Sequence, residues 1–352
     1  VSLSPERWRA IVRGTARDPA AALLRRGLWL GQWPYAVGVW WRNRRFDRGR
    51  DVHRVGVPVI SVGNLTVGGT GKTPCVEYVA RLLRDNDHRV AILSRGYGAE
   101  AGRNDEAMVL EENLPDVPHF QGRDRVALAA TAIEESESEV LVLDDGFQHR
   151  RLARDLDIVL IDATDPWGGG YLLPRGGMRE PPRNLRRAGF VVFTRCDAVD
   201  ADATARLAAE VQALAPGVPT AKTAHVAREL SNGEDQRDVA ELKGRKTAAF
   251  CGIGNPAAFR HTLGLLGADV IELREYPDHH NYSRADVEEL GRWTESLPND
   301  AWVVTTQKDW VKLRLTQVSS RALWAVRVRL QFVEGQEMFD RAVLTAAARE
   351  VA

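Results

Sequence analysis

The sequence predicts an α/β protein, with a parallel sheet covered by helices on both faces and a smaller second α/β domain after it. Three observations carry that prediction. Short apolar runs alternate with stretches of helical spacing, glycine-rich turns follow the runs, and 352 residues are more than one average domain needs. Hydrophobic residues make up 44% and charged residues 27%, an ordinary globular balance. The formal net charge is zero, which gives no general pull toward nucleic acid. Cys75, Cys196 and Cys251 are widely spaced and form no C-x-x-C pair, which argues against a disulfide framework or a zinc site and fits a reducing cytosol.

Residues 1–54 stand apart. From Ala20 they read "AAALLRRGLWLGQWPYAVGVWWRNRRFDRGR", whose uncharged part runs only from Gly27 to Trp41 and contains Pro34. Some 20 apolar residues are needed to span a bilayer, so this stretch predicts an interfacial helix rather than a crossing one. Its tryptophans would sit at headgroup level, while Arg25, Arg26, Arg42, Arg44 and Arg45 meet an anionic membrane surface. Packing on the protein's own core is the other reading, and the two are compatible.

Residues 55–238 form the first α/β domain. "VPVISVGN" (57–64) reads as a buried strand, and "TPCVEYVARLLRDND" as a helix with Val76, Val79, Leu82 and Leu83 on one face. "HRVAILSRGYG" gives a strand and a glycine turn, "GRDRVALAATAIEES" a helix, and "SEVLVLDDGF", "LDIVLIDAT" and "AGFVVFTRCD" three more strands. "SNGEDQRD" (231–238) reads as a surface loop near the domain boundary. Residues 239–352 form the smaller domain: "RKTAAFCGIGNPAAFRHTLGLLGADVIELREY" is strand, turn, helix and strand, and "AWVVTTQKDWVKL" a strand running into a polar turn.

The chemistry begins at "VGNLTVGGTGKTP" (62–74). A strand, a glycine-rich turn, Lys-Thr and then a helix is the setting of a phosphate-binding loop, although Thr66 stands where G-x-x-x-x-G-K-[ST] has glycine. This makes the first domain P-loop NTPase-like. Gly68, Gly69 and Gly71 let the backbone approach a polyphosphate, with Thr70 between them. Lys72 can reach the β and γ oxygens, and the Thr73 hydroxyl can ligate Mg²⁺. Such a loop needs an acid at the end of a neighbouring strand, which Asp144 and Asp145 in "VLVLDDGFQHRRL" supply.

Taken together, "VPVISVGNLTVGGTGKTP", "LSRGYG", "DDGFQHRRL", "LPRGGMREP", "FCGIGNP", "YPDHH" and "TTQKDWVKL" resemble the tetraacyldisaccharide 4'-kinase family, the lipid A 4'-kinases of Gram-negative bacteria, over roughly residues 55–315. Thr66 belongs to that family's own form of the loop. The resemblance implies transfer of the ATP γ-phosphate to the 4'-hydroxyl of tetraacyldisaccharide 1-phosphate, with ATP and Mg²⁺ as cofactors. It also implies work at the cytoplasmic face of the inner membrane. Nucleic acid is not an expected partner. The oligomeric state is left open, a monomer being the default.

By the same resemblance Lys72 and Thr73 serve phosphate and Mg²⁺, and Asp145 binds the metal. Asp105 is the base for the hydroxyl proton, with neighbouring Asp144 of the Asp-Asp pair the alternative. Glu106 is a metal-side carboxylate, and His279, closing over from the second domain, holds or tunes Asp105, raising the site's basicity. His149 and Arg179 meet the phosphates or the sugar, and Tyr97 lies against nucleotide or substrate. The chain departs from the family pattern in the short "AEAGRN" before Asn104-Asp105-Glu106-Ala107 is complete, in Thr194 where many members have asparagine, and in Gln307 where many have glutamate. The rival reading is a P-loop GTPase or ATPase acting as a switch or targeting factor, suggested by "TRCD" (194–197).

Overall fold

The computed structural model describes residues 7, 10–12, 14–96 and 105–349. The chain forms two compact units, each assembled from separated segments: Val1–Arg95, Val117–Ala224 and Phe332–Ala352 make the first, and Gly96–Asp116 with His225–Gln331 the second. The division differs from the boundary expected at 238/239. Asp105, expected in the nucleotide-binding domain, belongs to the second unit, and the C-terminal helix belongs to the first.

In the first unit a long helix, α1 (Pro19–Asp47), starts on an Asp18 cap whose carboxylate accepts from the Ala21 N–H at 2.9 Å. The strands are β1 (Val59–Asn64), β2 (Val90–Ser94), β3 (His119–Gln121), β4 (Val140–Asp144), β5 (Leu156–Asp162), β6 (Phe190–Thr194) and the start of β7 (Thr220–Ser231). They lie in the order β3-β2-β4-β1-β5-β6-β7, and every pairing is parallel. All residues of β1, β2, β4 and β6 are buried, as expected of a sheet covered on both faces. Helix α2 (Lys72–Arg84) is the next element after β1, buries Cys75, Val76, Val79, Ala80 and Leu83, and leaves Arg81 and Arg84 half-buried.

Helix α3 (Asp105–Asn113) carries the reason for the altered boundary. It places Val109 in a core with Phe250, Trp293, Trp310 and Val311, all residues of the second unit. In the first unit, helix α4 (Arg125–Ser136) is capped by Asp124 and α5 (Ala201–Leu214) by Asp200.

The second unit has β9 (Lys246–Cys251), β10 (Asp269–Glu275), β11 (Trp302–Thr306) and β13 (Arg321–Glu334) in the parallel order β10-β9-β11-β13. Its helices are α6 (Pro256–Leu265), α7 (Arg284–Glu295) and α8 (Gln307–Leu313). Two expectations are corrected here. The expected polar turn after β11 is helix α8, because Thr306 caps it by accepting from the Asp309 N–H at 3.2 Å while Trp310 and Val311 turn into the core. The expected loop at 231–238 is a tight hairpin, with β7 and β8 (Gln236–Asp238) pairing antiparallel and a short β12 (Gln317–Val318) pairing with β13 elsewhere. The last helix, α9 (Gln336–Ala347), returns to the first unit, where Phe339 meets Phe190 edge-on at 5.1 Å and Tyr78 at 5.9 Å.

Candidate active site

The phosphate loop sits at the C-terminal end of β1, between the ends of β4 and β5. This is where parallel α/β sheets place ligands. Gly68 (φ +110°) and Gly71 (φ +86°) occupy the left-handed region, so glycine is required at both. Thr66 has no such backbone. Instead it pairs as a β-bridge with Met178, the Val67 N–H donates to the Gly177 carbonyl at 2.7 Å, and the Arg179 N–H donates to the Leu65 carbonyl at 2.7 Å. The first half of the loop is therefore an extended strand zipped to "GGMR", and a threonine suits it better than the glycine of the general pattern.

The loop is tied down from the other side as well. Asn64 Nδ2 donates to Thr70 Oγ1 at 2.7 Å, and Thr194 Oγ1 donates to the Thr70 carbonyl at 2.9 Å. Arg195 Nη2 donates to the Gly69 carbonyl at 2.7 Å and also pairs with Asp162. Thr73 and Thr70 are both buried. The turn after β4 approaches closely: a Cβ on Gly63 would lie 2.6 Å from the Phe147 side chain, and one on Gly146 would lie 2.6 Å from Ser61 Oγ.

Asp144 ends β4 and is buried, while Asp145 turns out of the strand with φ +53°. Arg179 grips Asp145 with two parallel bonds, both 2.8 Å, and Lys72 Nζ stands 3.6 Å away. Burial alone would raise the Asp145 pKa, but the Arg179 fork and Lys72 outweigh it and hold the carboxyl at about 2, below its ordinary 3.8. Arg179 also donates from Nε to the Thr66 carbonyl at 3.1 Å and from Nη2 to Asn64. Expected to meet phosphate or sugar, Arg179 is here the brace of the loop and of its acid. His149 follows the same turn; burial, then Arg125, Arg154 and Arg151, push its pKa down to about 4. At neutral pH it is an uncharged ring, able to hydrogen-bond but not to neutralise phosphate.

The residues expected to serve proton transfer lie in the second unit. Asp105 opens α3 and is buried, and His279 Nδ1 lies 3.0 and 3.1 Å from its two oxygens. His279 has φ +58°, with its own N–H donating to the Gly252 carbonyl at 3.1 Å. Lys312 Nζ is 3.7 Å from Asp105, and Lys308 Nζ is 3.1 Å from Glu106. Burial would raise Asp105, but the His279 hydrogen bond and then Lys308, His279 and Lys312 hold it at about 2. The hydrogen bond to Asp105 in turn raises His279 above its ordinary 6.5, against the effect of burial. The pair was expected to raise the basicity of the site, and the two partners shift in opposite directions. The imidazole gains the basicity and the carboxylate loses it.

A fully buried carboxylate, Asp309, holds this half together. It accepts from the Gly252 N–H at 3.0 Å, Tyr282 Oη at 3.0 Å and Thr306 Oγ1 at 2.6 Å, with Lys312 3.5 Å away. Lys308, Asp309 and Lys312 all lie in "TTQKDWVKL", which sequence reasoning singled out without giving them roles. Their signal was the i, i+4 spacing of the two lysines, which reads as one helix face only once the segment is known to be helical. Tyr97 lies outside the described residues.

The family model for LpxK, tetraacyldisaccharide-1-P 4'-kinase, matches residues 24–348. The chain belongs to the tetraacyldisaccharide 4'-kinase family. A tetraacyldisaccharide 4'-kinase from Anaeromyxobacter sp. (strain Fw109-5) is 40% identical over 361 aligned positions, covering 96% of this chain and 95% of the relative. One from Syntrophus aciditrophicus is 40% identical over 339 positions, covering 88% and 90%. Among solved structures, an "apo" form LpxK from Aquifex aeolicus in complex with ATP superposes with a TM-score of 0.74 at 31% identity, covering 92% of this chain and 99% of that one.

Thr194 and Gln307, the two positions expected to depart from the family pattern, each have a local partner. Thr194 keeps a side-chain donor on the Thr70 carbonyl. Gln307 exchanges amide hydrogen bonds with Asn113 at the end of α3, donating from Nε2 at 2.7 Å, which a carboxylate could not do.

Proposed function

We propose that this protein transfers the γ-phosphate of ATP to the 4'-hydroxyl of tetraacyldisaccharide 1-phosphate in lipid A biosynthesis. The observation that carries this reading is the Asp105–His279 pair. Phosphate loops serve switches and kinases alike, but a buried carboxylate sharing a proton site with an imidazole is what an attacking hydroxyl requires. No observation favours the switch reading: Arg195 of "TRCD" is spent on Asp162 and on the phosphate loop itself.

Lys72 and the loop N–H groups from Gly68, Gly69, Thr70 and Gly71 hold the β- and γ-phosphates. Thr73, Asp144 and Asp145 offer one hydroxyl and two carboxylates at the loop, a hard-oxygen set suited to an ion that also takes phosphate oxygens. These residues would hold Mg²⁺, which supplies neutralisation of the phosphate charge when bound. Arg179 takes one acceptor position on each Asp145 oxygen, which leaves a second on each for an ion or a bridging water. Glu106 holds Lys308 through Oε1 at 3.1 Å. The hydroxyl proton passes to Asp105 when His279 is neutral, with the His279 Nδ1–H donating to the carboxylate and holding it in place. Lys308 and Lys312 keep this charge-rich pair compact.

The protein works at the membrane, on its cytoplasmic face, since the substrate's acyl chains remain in lipid. No helix among the described residues is long and apolar enough to cross a membrane. What supports surface binding is the outward face of α1, where Leu23, Trp29, Leu30, Trp33, Val37, Trp40 and Trp41 are exposed. Arg44 lies over the Trp40 ring at 5.2 Å.

Transfer of labelled phosphate from ATP to tetraacyldisaccharide 1-phosphate in detergent micelles with Mg²⁺ tests the assignment. Wild type should make the 4'-phosphorylated product, and Lys72→Ala and Asp105→Ala should each lose at least about 10²-fold. Nucleotide binding by a folded wild type that yields no lipid product would overturn it.

A further inference from the structure

We propose that Glu180 is a positioning residue for the phosphate site, through which helix α1 fixes Arg179 and, by way of Arg179, the acid Asp145. The proposal rests on reading Lys72, Asp145 and Arg179 as the nucleotide side of the kinase site.

Glu180 is completely inaccessible to solvent, and its carboxylate is shared among four donors from two separate parts of the chain. Helix α1 supplies Arg42 Nη2 to Oε1 at 3.0 Å and Asn43 Nδ2 to Oε2 at 2.8 Å. The short helical segment Pro182–Arg187 supplies Asn184 Nδ2 at 2.6 Å and Arg187 Nη1 at 3.0 Å, both to Oε2. The adjacent residue is the one that grips Asp145. Its backbone is held from α1 too, because Tyr35 Oη donates to the Arg179 carbonyl at 3.0 Å. One face of α1, through Tyr35, Arg42 and Asn43, therefore fixes the Arg179 carbonyl and the Glu180 side chain next to it.

Stability alone does not account for this arrangement. Burying a carboxylate with two guanidinium groups brings no more stability than apolar packing of the same volume, because desolvation offsets the attraction. What such a network does provide is direction. Four donors converging on two oxygens leave Glu180 one position and orientation, and Arg179, one residue earlier, inherits it. The fork on Asp145 tolerates little displacement, since two parallel bonds at 2.8 Å are lost together when the guanidinium rotates. The opposite face of α1 exposes the tryptophans, so the element that anchors Arg179 is the same one that presents the apolar stripe.

The experiment is a double-mutant cycle on the full chain, read as kcat with both substrates saturating, alongside the KM for ATP and the melting temperature. Arg42 is the chosen partner because its side chain is 41% exposed and Glu180 keeps three other donors without it. Arg42→Ala should lower kcat about tenfold, within the range a displacement near 1 Å can produce. Arg42→Lys should recover most of that loss. In an Arg179→Ala background, Arg42→Ala should cost less than about twofold more, because the residue it acts through is gone. Tyr35→Phe, which removes one hydroxyl, should show the same pattern at about threefold and serves if Arg42→Ala folds poorly. Equal losses in both backgrounds, or no loss in the wild-type background, would overturn the proposal. A Lys72→Ala control separates the two levels. If it retains full activity, the reading of the site fails, whereas its inactivity together with additive Arg42 and Arg179 effects removes only the role of Glu180.

Discussion

Asp145 in the first unit, partly buried, and Asp105 in the second, buried, are both held at about 2, yet they are held by different kinds of partner. Asp145 is fixed first by the fork of Arg179, whose guanidinium is not deprotonated in proteins, with Lys72 Nζ 3.6 Å away. Asp105 is fixed first by His279, whose charge is lost as pH rises through a value above 6.5. The first carboxylate is a permanent anion in a permanent cationic frame. The second has a partner that can leave it. The nucleotide side of the enzyme should accordingly be insensitive to pH where the proton-transfer side responds.

The largest expected effect comes from breaking the permanent frame. Lys72→Ala should lower kcat/KM by about 10³-fold, since charge neutralisation is the main contribution a phosphoryl-transfer site makes. The loss should be nearly constant with pH in steady-state assays. Asp105→Ala should cost about 10²-fold, the range of one general base. A variant with normal turnover would move the proton acceptor to Asp144.

Removing His279 sharpens the comparison through stability as well as rate. A histidine whose pKa is raised on folding contributes stability that is fully present below 6.5 and lost as pH rises through its folded value. The melting-temperature difference between wild type and His279→Ala should therefore be largest near pH 6 and shrink at pH 9. Asp145 and Asp105 behave oppositely, contributing stability above 3.8 that disappears as pH falls toward 2. Thr194→Ala, which deletes one buried hydrogen bond to the phosphate loop, should cost about 1 kcal/mol and raise the KM for ATP a few-fold. Gln307→Glu should be the mildest, with turnover within about twofold, because Asn113 keeps one partner and loses the other. Thermal melts and initial rates check both.

The two halves were also unequally legible in the sequence. The phosphate loop, its strand, its helix and the Asp-Asp pair all follow from local pattern, because an apolar run, glycines and Lys-Thr are contiguous in the chain. The Asp105 half could be located by family resemblance, but its organisation could not be read. Asp105 meets His279 across 174 residues, and α3 joins the second unit through the burial of Val109 beside Trp310. Propensity gives no sign of such pairing. The helix α8 was missed because only seven residues long, with Thr306 and Asp309 as its cap, it looks like a polar turn. Likewise, Arg179 was recognisable as functional, but its fork onto Asp145 and the Glu180 network behind it depend on chain segments brought together only by the fold.

The most direct test is the pH dependence of kcat/KM for the lipid acceptor from about pH 5.5 to 9, in wild type and His279→Ala, with ATP affinity measured over the same range. The rate for wild type should climb to a plateau through a single ionisation above 6.5, His279→Ala should lose that step, and ATP affinity should stay flat in both. A step that survives in His279→Ala, or an ATP affinity that follows the same curve, would contradict the division between a permanent and a switchable carboxylate.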